Sequence, residues 1–351
     1  MKNAYTSLSD TILGNRLVAE VYLDEVDYEN AIRVSKQGLQ SLRQLELDTG
    51  KLLHKYVSFL FSSSAMLINI LPRTRTALQV TLATSLVHYF PPKHHKEAKR
   101  ILDEVLERSK QNTAALMAQA FILQAASSWE EAAETFDQVL SLLSDATTTG
   151  LRASEESAWC KCQLGLFEEA IVGLQHVLDT LNDIDDPTLD SDRARCLWRI
   201  GKSKLDSDGK LSLQDFWSSC LIVYSIGSNT EAAFTFFITA LKKDPEFAPA
   251  FTSLGIYYLE HASPPDPIRS SKCFQKAFEL DARETVAARR LAEGFANDRE
   301  WDLVEVVAQR TIDGEGGLNA GLDKSELDAT SRYLPTNAWA WKAIGVVKFV
   351  S

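Results

Sequence analysis

Cysteine is scarce in this chain and follows no pattern. Five stand in 351 residues, at Cys160, Cys162, Cys196, Cys220 and Cys273. An odd number without framework spacing excludes a small disulfide-stapled fold and points to reduced thiols inside a cell. No Asn-x-Ser/Thr sequon occurs, which agrees with that reading. Basic charge is also short. Lys and Arg number 37 against 48 Asp and Glu, a net charge of −11, and that balance excludes a general nucleic-acid binder, because neutralising phosphates needs surplus cations. Long apolar runs are missing too. The oiliest stretches, Tyr56 to Leu71 and Phe216 to Ile226, are broken by serines and fall short of the roughly 20 apolar residues of a bilayer span. The opening MKNAYTSLSDTILGNRL holds no apolar signal core. The expectation is a protein with no membrane role, cytoplasmic, with a nuclear pool as the alternative.

What is present is self-similarity. In HKEAKRILDEVLERS, Ala98 is followed by Leu102, Val105 and Leu106; in WEEAAETFDQVLSLL, Ala132 is followed by Phe136, Val139 and Leu140. The offsets of four, seven and eight recur at Ala170, Leu174, Val177 and Leu178, and near the start at Ala31, Ser35, Gly38 and Leu39. They recur again at Ala233, Phe237, Ala240 and Leu241, and at Ser270, Phe274, Ala277 and Phe278. Such offsets return to one face of a helix. Another helical signature precedes each of the later ones: Phe251, Leu254, Gly255 and Tyr258; Leu197, Ile200 and Gly201; Leu291, Ala292 and Phe295; Trp341, Ile344 and Gly345. The small residue of the first helix (Ala120, Gly201, Gly255, Ala292, Gly345) and the alanines of the second let two axes approach, and an aromatic fills the hole beside them. Pro245 and Pro335 stand where a second helix must stop.

This pattern resembles the tetratricopeptide repeat. It predicts an all-α solenoid, an α-α superhelix of about seven helix pairs with irregular insertions, with units near 15–48, 79–112, 113–146, 151–184, 194–246, 248–284 and 285–317. The corresponding partition is an N-terminal repeat over 1–48, an irregular segment over 49–78, and three units over 79–184. Three more fill 185–317, with an insertion near 206–229, then come a flexible loop over 318–337 and a first helix over 338–351. Two readings fit the segments 57–75 and 206–229: inserted connections, or translated non-coding sequence. An apolar run is odd in an exposed loop. The unmatched helix at the end leaves Trp341 and Ile344 without a cover, so a further helix beyond Ser351 is expected.

Within that repeat class, Phe247 to Asp313 (FAPAFTSLGIYYLEHASPPDPIRSSKCFQKAFELDARETVAARRLAEGFANDREWDLVEVVAQRTID) resembles the tetratricopeptide scaffold subunits of superkiller complexes. So do SLVHYFPPKHHKEAKRILDEVLE and WAWKAIGVV. The resemblance implies an interior part of a much longer, non-catalytic scaffold. Such a scaffold holds a DExH-box RNA helicase and a WD-repeat subunit together, and the assembly feeds messenger RNA 3′ end first to the cytoplasmic exosome.

Signs of other chemistry are weak. Gly314 to Gly321 (GEGGLNAG) lacks the preceding strand of a phosphate loop. Asp206-x-Asp208-Gly209 lacks the ligand spacing of a calcium loop, and Cys160-x-Cys162 has no second metal-binding pair. His94 and His95 read as a solvated helix start, and the acidic run Asp179 to Asp192 as a solvated connection. No cofactor, metal or catalytic residue is expected. One stripe stands out on the first helices, which line the concave face in this repeat class. There Arg195, Arg199 and Lys202 share a face beside Trp198, and Arg289 and Arg290 take similar offsets two units later. A basic, aromatic stripe can hold an acidic partner segment or a passing RNA strand; the bland reading is ordinary solvated charge.

Two other function classes compete. A co-chaperone clamp needs Lys, Asn and Arg on successive first helices, and the 79–112 unit offers Ala83, Thr84 and Val87 instead, which cannot grip a carboxylate. An enzyme carrying these repeats as an appendage needs a catalytic domain that this chain has no room for. The residues expected to pack the repeats are Ala31, Ala98, Ala132, Ala170, Gly201, Ala233, Gly255, Ala277, Ala292 and Gly345.

Overall fold

Helices follow one another through the described residues. The computed structural model describes residues 11–56, 64–143, 147–214, 222–314 and 337–350, and among these no strand occurs. The chain divides into two compact units, Met1–Ala153 and Ser154–Ser351.

In the first unit α1 (Ile12–Asp24) pairs with α2 (Tyr28–Tyr56), α3 (Ser64–His88) with α4 (His95–Arg108), and α5 (Thr113–Ala125) with α6 (Trp129–Leu142). First helices also touch first helices, α1 against α3 and α3 against α5. The side chain of Thr11 caps α1 by accepting from Gly14 N–H at 3.0 Å, and Asn112 caps α5 by accepting from Ala115 N–H at 3.0 Å. Both satisfy amides that the first helical turn leaves without partners. Val80, Leu82, Leu86, Leu102 and Val105 form the central core of the unit.

α7 (Thr148–Gln163) crosses the division between the units. The second unit continues with α8 (Phe167–Asn182), α9 (Asp190–Gln214), α10 (Ile222–Lys243), α11 (Ala248–Ile256, extended by a wide turn over Tyr257–His261), α12 (Pro267–Leu280), α13 (Thr285–Asn297), α14 (Trp301–Gly314) and α15 (Ala338–Val350). Four of the turns inside pairs are built alike. Val26, Ser127, Gly165 and Arg299 have φ of 62°, 60°, 86° and 62°. The next residue's N–H reaches back to close the helix, as in Asp27 to the Tyr22 carbonyl at 2.8 Å and Leu166 to the Lys161 carbonyl at 3.0 Å. This left-handed cap turns the chain sharply enough for the second helix to lie against the first. Gly165 adopts it without strain, whereas the side chains at the other three positions oppose it.

Two expectations about connections need correcting. The segment 49–78, read as irregular, is helical at both ends: α2 runs on to Tyr56 and α3 begins at Ser64. The extra residues near 206–229 lengthen the two helices of one pair, so that α9 reaches Gln214 and α10 starts at Ile222. A helix satisfies its own backbone polar groups, so it carries an apolar run more cheaply than a loop does. Residues 215–221 lie outside the described residues. So do 315–336, which include Pro335, most of the Gly-rich stretch and the expected loop up to Asn337. Asn337 itself is buried and accepts a hydrogen bond from Thr285 Oγ1 at 2.9 Å.

Candidate functional site

The residues singled out for packing divide between buried positions and one open one. Ala31, Ala98, Ala132, Ala170, Ala233, Ala277 and Ala292 are buried. A Cβ added to Gly201 would stand 2.8 Å from the Phe237 ring, and one added to Gly255 only 2.5 Å from Phe274. In each case the aromatic of the second helix occupies the space that glycine leaves in the first. Gly345 differs: a Cβ there meets nothing within 4 Å, because among the described residues no helix covers that side of α15. Trp341 and Phe349 on the same helix are exposed.

Three members of the basic and aromatic stripe, Arg195, Trp198 and Arg199, turn toward neighbouring helices. Arg195 Nε and Nη2 donate to the two carboxylate oxygens of Glu155, each at 2.8 Å, and Nη2 also pairs with Asp192. Arg199 Nη2 donates to both oxygens of Glu156 at 3.0 Å, while its Nη1 lies 3.0 Å from Glu155. The two glutamates project from α7, one helix pair before α9. Burial works against charge on Arg195 and Arg199, but their carboxylate partners outweigh it and raise both guanidinium pKa values. Arg199 also lies over the Trp159 ring, 5.2 Å from its centre. Trp198 donates from Nε1 to Ser253 Oγ at 2.8 Å, which ties α9 to α11. Lys202 donates to Asp206 at 2.9 Å. Arg195 and Arg199 therefore hold α9 against α7; facing Glu155 and Glu156, they are not displayed to a ligand. Sequence reading missed these glutamates. Their one signal was a pair of acids on a helix, α7, with few residues left for solvent. Arg289 and Arg290 are exposed and hold Glu293 at 2.9 Å and Glu260 at 2.7 Å.

Other polar groups join this internal framework. Arg193, next to the stripe, is buried and donates to the carbonyls of Leu181, Ile184 and Asp186, closing the turn after α8. The acidic connection is thus organised around a cation. Hydrogen bonds from Thr188 hold the Asp186 carboxyl below its ordinary pKa, and Arg193 does the same for Asp190. His95 does not sit in a solvated helix start as expected. It is buried, and its Nε2–H donates to the Val87 carbonyl at 3.0 Å; burial lowers its pKa. Cys160 and Cys162 are buried, Ser203 donates to Cys162 Sγ at 3.1 Å, and burial raises the Cys162 thiol. Cys273, on α12, is pushed up to about 11 by burial. Among the described residues no group of three His, Cys, Asp or Glu is placed to hold a metal ion, and no helix is long and apolar enough to cross a membrane.

One surface open to a ligand lies in the first unit. A groove of about 890 Å³ runs across α1, α3, α5 and the start of α7. Val80, Met117 and Phe121 line it, along with Arg73, Arg108 and Arg152. Its carboxylate, Glu20, is engaged by Arg16 at 2.8 Å. Thr84 lines this groove as well, while its neighbours Ala83 and Val87 are buried, so those places present no carboxylate clamp.

No family model matches the chain. Superkiller protein 3 of Schizosaccharomyces pombe is 30% identical over 312 residues, covering 89% of this chain and 19% of that protein. Its Saccharomyces cerevisiae counterpart is 27% identical over 337 residues, 96% of this chain and 20% of that protein. The chain thus spans about a fifth of the length of these curated relatives. Among solved structures, the apo form of RapI superposes with a TM-score of 0.50 at 11% identity, over 96% of this chain and 86% of that one, a likeness of fold alone. Over about nine-tenths of its length, then, the chain is a superkiller protein 3-like array of tetratricopeptide helix pairs.

Proposed function

We propose that this chain is a non-catalytic scaffold of a superkiller-type complex. In this reading it joins a DExH-box RNA helicase to a WD-repeat subunit, in the cytoplasm, so that messenger RNA passes 3′ end first to the exosome. The observation that carries the reading is the similarity to superkiller protein 3 across nearly the whole chain. It is supported by the use to which buried polar chemistry is put. Glu155, Glu156, Arg193 and Arg199 all bind neighbouring helices, which is the work of a framework that presents surface.

Tagging the chain in cells, then affinity purification and mass spectrometry, tests it. A helicase and a WD-repeat protein are expected in near-stoichiometric yield. Recovery of chaperones in their place would move the protein to the co-chaperone class. Arg289 and Arg290 are the outward members of the stripe and, in this reading, contact an acidic segment of a partner. Arg289→Glu with Arg290→Glu should lower recovery of one partner while helicity stays constant, and unchanged recovery removes them from the interface.

A further inference from the structure

We infer that the cleft between α2 and α4 is a docking site for a phosphorylated serine or threonine in a segment of a partner protein. The cleft, about 610 Å³, lies between two second helices of the first unit, with α3 as its floor. Arg75, Gln79 and Leu82 of α3 line it, whereas Arg73, Ala77 and Val80 line the groove. Each of the first set follows one of the second by two residues, about 200° of helical turn, so the cleft and the groove occupy opposite sides of α3. Five cations border the cleft: Lys36 and Arg43 from α2, Arg75 from α3, Arg100 and Arg108 from α4. Two carboxylates, Glu97 and Glu104, share it, and Arg75 is spent on a third, Glu46. A surplus of two positive charges remains, in a chain of net charge −11. Arg43 and Arg108 are exposed, and among the described residues neither forms an ion pair. A phosphate monoester brings a charge of about −1.5 to −2 with three acceptor oxygens, which matches that surplus and the forked donors of arginine.

The floor selects the rest of the ligand. Gln79 is nine-tenths buried; its Nε2 donates to Glu104 at 3.1 Å, while its Oε1 accepts no hydrogen bond. An unpaired acceptor beside a cationic rim favours a ligand that carries an N–H donor next to its anion, and a peptide backbone supplies one at almost every residue. Leu39 is half-buried and lines the cleft together with Leu82 and Ile101, which suits an apolar residue next to the phosphorylated one. A free phosphate ion uses neither feature and leaves most of the volume unfilled. Single-stranded RNA is a poorer match as well, since its bases stack on aromatic rings and no aromatic residue lines the cleft among the described residues. Docking here therefore follows the phosphorylation state of the partner.

The site does not depend on the superkiller assignment, which the recovered partners test separately. Here the purified full chain is titrated against a fluorescein-labelled, amidated peptide with a central phosphoserine between two leucines, followed by anisotropy. The same peptide with unmodified serine is the comparison, and inorganic phosphate and decauridylate are the competitors. Saturable binding is expected for the phosphorylated peptide, about tenfold or more tighter than for the unmodified one. Arg43→Glu with Arg100→Glu should weaken it about tenfold. Arg73→Glu, which alters the groove and not the cleft, should leave it unchanged. Gln40 is an exposed residue of α2 in the cleft, and Gln40→Lys should tighten binding, a gain that misfolding cannot produce. Circular dichroism of all variants should match the parent. A Kd for the phosphorylated peptide weaker than about 1 mM, equal binding of the two peptides, or unchanged binding in the double variant overturns the inference. Loss of binding in Arg73→Glu, no gain from Gln40→Lys, or displacement by an equal concentration of phosphate or decauridylate does the same.

Discussion

Phe274 stands where a methyl group on Gly255 would have to go, 2.5 Å from the ring. Gly255→Ala therefore forces the ring or the helix aside, and a cost of about 1–3 kcal/mol is expected, exceeding the gain in helix propensity of about 1 kcal/mol. At Gly345 the same change meets open space, and only the gain of up to about 1 kcal/mol remains. Urea unfolding midpoints should move in opposite directions for the two variants; shifts of one sign would mean that the glycines are not chosen by packing. His95 gives a pH dependence. Its folded pKa lies below the ordinary value of about 6.5 because the ring is buried. The unfolded chain thus takes up the proton first. Stability falls as pH drops below about 6.5 and goes on falling until the folded ring is protonated as well. His95→Gln, which can still donate to the Val87 carbonyl, should flatten the change in midpoint between pH 7.5 and 5.5.

Between helices, the joint of α7 with α9 depends on buried charge. Arg199→Met leaves Glu156 buried without its cation, and a loss of about 3–5 kcal/mol is expected, compared with at most about 0.5 kcal/mol for Arg289→Ala on the surface. Combining Arg199→Met with Glu156→Leu should recover most of the loss, since an apolar pair of similar size avoids the desolvation of both charges; a double variant as weak as the single one would contradict this. Helices of this kind were legible wherever alanine and aromatics fall at offsets of four, seven and eight, because those offsets encode a buried face directly. The helices at 49–56, 64–78 and 206–214 escaped notice because they lie outside that small-and-aromatic signature, and a breaker such as Pro72 stands within α3. The inward turn of Arg195 and Arg199 was hidden for a different reason. Arg195 and Arg199 meet glutamates 40 and 43 residues away, a separation over which periodicity carries no information. The groove is the same kind of case, since Arg73, Arg108 and Arg152 converge only once three helices have stacked.

For the molecule as a whole, a stack of helix pairs is stabilised mostly by nearest neighbours, so damage spreads over short distances. The core of Val80, Leu82, Leu86, Leu102 and Val105 includes none of the residues joining α7 to α9. In the Arg199→Met variant, hydrogen exchange should accelerate in α8, α9 and α10 while α4 keeps its protection; equal acceleration throughout would mean a single cooperative unit. The buried charges between α7 and α9 have one more consequence. Apolar joints built of alanine and phenylalanine are nearly interchangeable, and a growing chain has many ways to stack a helix one place too early or too late. Among the described first helices, α7 is the one that offers α9 two adjacent glutamates, so a shifted order strands buried ions without their partners. The joint works as an address, fixing which neighbour is correct during folding. Exchanging the charges across it, Glu155 and Glu156 to Arg and Arg195 and Arg199 to Glu, should preserve the fold, whereas reversing one side alone should not.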